Sequence, residues 1–163
     1  MDTALADALK DNENREVREF AATALVQIGP KARAAAVPGL VEALKDREAP
    51  GLRETAAKAL VQIGSPAVAA LVEALNDDDP FLRVMAAGAL GGFGPKAEAA
   101  VPALTEARKD EDPYVRRSAA GALGGIGPKA EAAVPALTEA RKDNHRDVRE
   151  AAAGAIKQIA PGR

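Results

Sequence analysis

Apolar residues recur along the chain with helical spacing. Leu52, Ala56, Ala59, Leu60 and Ile63 follow an i, i+4, i+7, i+8, i+11 rhythm that gathers them on one helical face. A second stripe is formed by Val37, Leu40, Val41 and Leu44, and Val68, Leu71, Val72 and Leu75 reproduce it. No segment alternates apolar and polar residues with the period of a strand. The pattern therefore predicts an all-α chain.

The stripes belong to a repeat. Gly88 to Asp110 recurs as Gly121 to Asp143, with 22 of 23 residues identical and Phe93 replaced by Ile126. A looser version begins at Val17-Arg18, Leu52-Arg53, Leu82-Arg83, Val115-Arg116 and Val148-Arg149. Each copy continues into paired alanines and closes on Ile or Phe and a small residue, at Ile28-Gly29, Ile63-Gly64, Phe93-Gly94, Ile126-Gly127 and Ile159-Ala160. The arginines are 35, 30, 33 and 33 residues apart, so loops vary while packed positions persist.

Each unit reads as two helices, about ten in all. Asp79-Pro80 and Asp112-Pro113 start the first helix, because the carboxylate can accept from free backbone amides and proline loses no hydrogen bond there. Gly29, Gly64, Gly94 and Gly127 end it. Pro38, Pro102 and Pro135 mark where the second helix begins, so Lys96 to Ala100 is expected to form a short separate helical turn. The second repeat lacks that turn, which accounts for the 30-residue step. The predicted organisation is a single repeat domain, 1–163. It divides into a half-repeat 1–11, full repeats 14–46, 47–77, 78–110 and 111–143, and a half-repeat 144–163. A lone two-helix unit cannot bury its apolar stripe, so the units must stack. Gly91-Gly92 and Gly124-Gly125 weaken a helix by about 1 kcal/mol per glycine. They are expected to mark close backbone contact or a frayed last turn.

The stretch Asp112 to Gly127 (DPYVRRSAAGALGGIG) resembles the HEAT-like repeats of the phycobilisome-lyase type. Those repeats share an Asp-Pro-x-Val-Arg-x-x-Ala-Ala-x-Ala-Leu-Gly-x-Ile-Gly signature, followed by a helix ending in Leu-x-Asp. The chain departs from this pattern in its Gly-Pro-Lys-Ala insert, and in Arg108 and Arg141, where the repeat carries leucine. The resemblance implies a right-handed α-solenoid of about five HEAT-like repeats. First helices would lie on the convex side and second helices on the concave side. It also implies a surface that binds proteins.

Composition narrows the chemistry. Forty of 163 residues are alanine, cysteine is absent, and histidine occurs once. Missing cysteine excludes disulfides, thiolate metal sites and cysteine nucleophiles. With 22 basic and 24 acidic residues, overall charge points neither to nucleic acid nor to an anionic membrane. No apolar run approaches the roughly 18–20 residues of a membrane span. Met1-Asp2-Thr3 does not begin a signal peptide, so a cytoplasmic location is expected. No phosphate loop, nucleotide fingerprint or zinc-protease motif occurs, and neither cofactor nor catalytic residue is expected.

Three sets of charged residues remain as candidates. Aligned second helices place Asp7, Glu42, Glu73, Glu106 and Glu139 in one column, and Lys10, Lys45, Asn76, Lys109 and Lys142 in a second. These columns form either a striped groove for a complementary partner or solvated helix charges worth about 0.2–0.5 kcal/mol per pair. Arg108 and Arg141 either capture a partner's carboxylate or lay their stems on the core and pair with a neighbouring acid. The ladder Arg18, Arg53, Arg83, Arg116 and Arg149, with acids at Asp11, Asp46, Asp77, Asp110 and Asp143, is expected to bond loop carbonyls or aspartates and fix the stacking. His145 is expected to be an exposed loop residue. Phe20, Phe81 and Phe93 are expected to be buried, leaving Tyr114 as the accessible aromatic.

The expected function is a non-enzymatic protein-interaction scaffold with an unknown protein partner. Alternatives are a consensus-like or engineered scaffold without a natural ligand, a bilin lyase or isomerase, and a DNA-binding protein. The last two are disfavoured by an aromatic content of 2% and by the balanced charge. Because the chain starts with a second helix and closes with a first, head-to-tail self-association is also expected.

Overall fold

The computed structural model describes residues 2–9, 14–27 and 30–162. Expectations for Lys10, Asp11, Ile28 and Gly29 lie outside the described residues. The described residues are mostly helical, with no strand among them. The chain divides into two compact units, Met1–Ala70 and Leu71–Arg163.

In the first unit, α1 (Asp2–Ala8) packs on α2 (Arg15–Gln27) and α3 (Pro30–Ala43). Helix α4 (Pro50–Ile63) packs against both α2 and α3. The core is leucine and alanine: Leu25, Leu40, Leu44, Leu52 and Leu60 are fully buried, with Ala21, Ala22, Ala56 and Ala59 between them. Helix α5 (Ser65–Ala74) starts directly after Gly64, as the missing turn predicts. Gly64 has φ +86°, a conformation that side chains other than glycine's rarely adopt.

The second unit shows the repeat most plainly. Its first helices are α6 (Pro80–Gly92), α8 (Pro113–Ile126) and α10 (Arg146–Ile159), and they pack in chain order, α6 on α8 and α8 on α10. Its complete second helices are α7 (Val101–Ala107) and α9 (Val134–Ala140). Each follows a 3₁₀ segment, Gly94–Ala100 or Gly127–Ala133, with a kink at Ala97 or Ala130. The separate turn expected ahead of Pro102 and Pro135 is therefore present. In α3 it is not: the helix runs from Pro30 through Pro38 to Ala43. The lead-in there is one residue longer and ends in Ala34-Ala35-Ala36. That run of strong helix formers carries one helix through the proline.

The caps behave as their residue types require. The Asp79 carboxylate accepts from the Phe81 amide at 2.9 Å, and Asp112 accepts from the Tyr114 amide at 2.7 Å. Proline occupies the first helical turn in both.

Alanine and glycine set the helix spacing. A Cβ added to Gly91 would stand 3.0 Å from the Ala122 Cα. One added to Gly124 would stand 2.9 Å from the Ala155 Cα and collide with the Gln158 side-chain oxygen. Gly125 is likewise pressed against the Gly91 carbonyl. Close backbone contact, and not fraying, explains these glycines, since Gly91, Gly124 and Gly125 lie within helices.

Two aromatic expectations divide. Phe93 is buried at 4% exposure, whereas Phe20 is 72% exposed. Phe20 stands two residues after Arg18, the register of Ser118 and Ala151, which is not a core position in any copy. Phe81 is intermediate.

Gly121, unlike Gly124, has no atom within 4 Å of an added Cβ. Gly121→Ala should therefore stabilise the protein by up to about 1 kcal/mol through helix propensity alone. Gly124→Ala gains the same propensity but overpacks the α8–α10 contact, and should lower stability by about 1 kcal/mol net. Denaturant unfolding of the two variants checks this opposition of sign.

Candidate functional site

The ladder arginines form a clamp between successive loops. The Arg83 Nη1 donates to the Asp77 carbonyl at 2.9 Å and to the Asp78 carbonyl at 3.2 Å. Its Nε and Nη2 donate to the two oxygens of Asp110 at 2.8 and 2.9 Å. Arg116 repeats this arrangement on the Asp110 and Glu111 carbonyls and on both oxygens of Asp143. In the first unit Arg18 donates to Asp46 at 2.7 Å, and Arg53 donates to the Asp46 carbonyl. Arg18, Arg83 and Arg116 hold the aspartate of the following loop, while Arg53, Arg83 and Arg116 bond the carbonyls of the loop that precedes them. The direction in which the ladder arginines reach is not legible from spacing.

The pairs are well shielded, with side-chain exposures of 11% and 13% for Arg83 and Asp110. Burial pushes the Asp110 carboxyl up, but the Arg83 guanidinium and the Asp112 amide outweigh it and hold the carboxyl below its usual range. Burial also opposes Arg18 and two backbone amides at Asp46, with the same net lowering. At Asp143 the Arg116 hydrogen bond is the leading cause of a lowered value. Arg83 and Arg116 are correspondingly raised by the same bonds.

The charged columns of the second helices pair within their own helix. Lys45 lies 3.3 Å from Glu42, Lys109 lies 2.9 Å from Glu106, and Lys142 lies 3.2 Å from Glu139. Glu73 is exposed, with Asn76 where the other copies have lysine. Leu75, Asn76, Ala103, Glu106, Lys109 and Asp110 line a cleft of about 420 Å³.

Arg108 and Arg141 stand apart. Leu44 and Leu75, their counterparts, are buried. Arg108 is half-buried, with its Nε shielded from solvent and without an acceptor. Arg141 is exposed. Neither has a carboxylate partner among the described residues, so the expected pairing with a neighbouring acid does not occur.

His145 is not an exposed loop residue. It is the N-cap of α10, half-buried, with its ring centroid 6.3 Å from that of Tyr114. Its Nδ1 is buried without a partner, and its side chain makes no capping bond. The histidine occupies the register of Asp79 and Asp112, and the substitution itself was the available signal.

A shallow cleft of about 750 Å³ crosses the first-helix layer of the second unit, lined by Gly88, Gly91, Gly121, Gly125, Arg117, Ser118, Asp147 and Glu150. Sequence reasoning passed over it. The exposed glycines at Gly88 and Gly121, one repeat apart, were its only trace.

Comparison with known proteins agrees with this architecture. The family model for HEAT repeats matches residues 3–83 and 68–157. The chain belongs to the HEAT-repeat family. No curated protein sequence matches it. Among solved structures it is similar to one describing microtubule plus-end tracking by XMAP215, CLIP-170 and EB1, with TM-score 0.73 and 20% identity over 98% of this chain and 75% of that one. It is similar to the complex of CpcE and CpcF of phycocyanin lyase from Nostoc sp., with TM-score 0.60 and 27% identity over 98% of this chain and 65% of that one. A designed armadillo repeat protein in complex with the peptide (KR)4 gives TM-score 0.60 and 21% identity over 95% and 80% of the two chains. These likenesses place the chain in the all-α class of solenoid-type repeats.

Because the ladder carboxyls are lowered in the folded state, their contribution is fully present above the ordinary carboxylate value of about 3.9 and is lost as pH falls below it. Thermal stability should hold from neutrality down to about pH 4 and then fall. Asp110→Asn, which strands a shielded guanidinium, should cost on the order of 3 kcal/mol at pH 7 and flatten the acid limb. His145→Asp restores the missing cap of α10 and should raise stability by about 0.5–1 kcal/mol, readable as a higher Tm.

Proposed function

We propose that the chain is a non-enzymatic, cytoplasmic protein-interaction scaffold, and that its second-helix face receives an extended, acidic segment of a partner protein. One observation carries this reading. Helices α7 and α9 present the same residues one repeat apart, and in both the glutamate is tied to the nearby lysine while the arginine that follows has no carboxylate partner among the described residues. Glu106 thus pairs with Lys109 and Glu139 with Lys142, and Arg108 and Arg141 are the cations left over at the ends of these two helices.

The spacing suits an extended chain. Packed helices lie about 8–10 Å apart, and an extended peptide rises about 3.3 Å per residue. A carboxylate at every third residue would therefore meet successive arginines. Arginine can hold a carboxylate through two parallel hydrogen bonds, which a lysine cannot. Among similar structures, the designed armadillo protein is itself bound to a charged repetitive peptide. Binding hot spots favour aromatic residues and arginine, and aromatics make up only 2% of this chain, so micromolar affinity is expected.

The three Glu–Lys pairs also support a second reading, an inert repeat scaffold whose surface charges serve solubility alone. Fluorescence anisotropy separates the two. A labelled peptide with aspartate at every third residue should bind at least about tenfold tighter than its lysine counterpart. Arg108→Ala combined with Arg141→Ala should weaken it about tenfold or more. Equal weak binding of both peptides, or indifference to the double substitution, would establish the inert reading.

A further inference from the structure

We propose that the notch beside Leu75 receives an apolar side chain three residues away from a carboxylate held at Arg108. The recognised segment then pairs a hydrophobic residue with an acidic one at fixed spacing. This inference rests on the acidic-segment reading of α7 and α9 and adds a second subsite to it. In the second unit, Leu75, Ala103 and Ala107 line the cleft of about 420 Å³, together with the exposed Asn76, Glu106 and Lys109. The first unit builds the same notch from matching positions. There Leu9, Glu42, Ala43, Lys45 and Asp46 line a cleft of about 390 Å³. The notch is therefore a product of the repeat.

Charge decides what the notch of the second unit takes. Glu106 is tied to Lys109 at 2.9 Å, and Asp110 is held by Arg83 at 2.8 Å. Asn76 is uncharged where Lys45, Lys109 and Lys142 stand in the other copies. A charged side chain entering here meets ions already engaged with one another, and it loses hydration against Leu75 and the alanines. An apolar side chain gains from covering that same surface.

One repeat further on, the same register changes character. Arg108 stands where Leu75 stands, and it is half-buried. Arg83, Arg116 and Arg149 are engaged by loop carbonyls. The Arg108 Nε, by contrast, is shielded from solvent and has no acceptor. A shielded donor without an acceptor carries a desolvation cost, which an incoming carboxylate removes. Neighbouring helices lie about 8–10 Å apart. A segment in polyproline-II conformation rises about 3.1 Å per residue and returns to the same face every third residue, about 9 Å along. One side chain therefore enters the notch as the residue three positions away reaches Arg108.

Fluorescence anisotropy on the full chain tests this. The reference is a labelled serine peptide with two aspartates three residues apart. Leucine is placed three residues before the first aspartate in one derivative and three after the second in another, which covers both chain directions. At least one derivative should bind about tenfold tighter than the reference, and moving its leucine by one residue should abolish the gain. Ala103→Leu fills the notch and leaves Arg108 and Arg141 in place. It should remove the gain, keep the reference peptide within about twofold of its parent affinity, and leave the helical circular dichroism unchanged. Equal binding of both derivatives and the reference would overturn the notch, as would a gain that survives Ala103→Leu or the one-residue shift; the acidic-segment reading would stand in each case. A reference peptide indifferent to Arg108→Ala combined with Arg141→Ala would overturn both.

Discussion

A helix pair too small to bury its own apolar stripe must borrow its neighbour's, and the neighbour must then arrive in one register only. In this chain the guanidinium of the first helix enforces that register. One nitrogen of Arg83 or Arg116 holds the loop behind it, and the remaining two grip the aspartate of the loop ahead. Apolar contact is indifferent to small slides of one helix along another, whereas a bidentate carboxylate pair is directional. The clamp gives each stacking step a fixed position, and the leucines and alanines beneath it supply most of the favourable free energy.

Small residues give that step its closeness. Where Gly91 faces Ala122 and Gly124 faces Ala155, backbones meet with no side chain between them. The helix propensity surrendered at those glycines is returned as contact between helices. The exposed glycines at Gly88 and Gly121 have no such return within the molecule, and the wide cleft they line has no intramolecular explanation. Duplication of α7 and α9 then has a simple consequence. Any surface chemistry present on one repeat is present on the next at a fixed distance, so a weak single contact becomes a spaced array.

Much of the architecture was legible in the chain because repeats expose their own rules. The 33-residue recurrence, the Asp-Pro starts and the closing glycines located α6 and α8 to within a residue or two. Cap and turn chemistry is local, so sequence carries it well. Pro38 lies inside a helix and does not start one, because one extra alanine-run residue shifts the balance toward a continuous helix. Phe20 is exposed despite its hydrophobicity because its register is one that no copy of the repeat buries. His145 reads as an open-loop residue because nothing near it in sequence announces the Tyr114 ring 31 positions earlier. The cleft across the first-helix layer escaped notice because it is made by the absence of side chains on separate helices.

By itself the sequence determined which residues are helical, which face of each helix is apolar, and which arginine recurs in every unit, since all three depend on neighbours within a few turns. Only the tertiary structure decided which aspartate each arginine holds. Arg83 and Asp110 are 27 residues apart, while Asp77, closer in sequence, offers Arg83 its carbonyl in place of its carboxylate. It likewise decided that Arg108 and Arg141 would have no carboxylate partner among the described residues. Partnership of that kind depends on distance through space, and stacking brings together loops that the chain keeps a whole repeat apart.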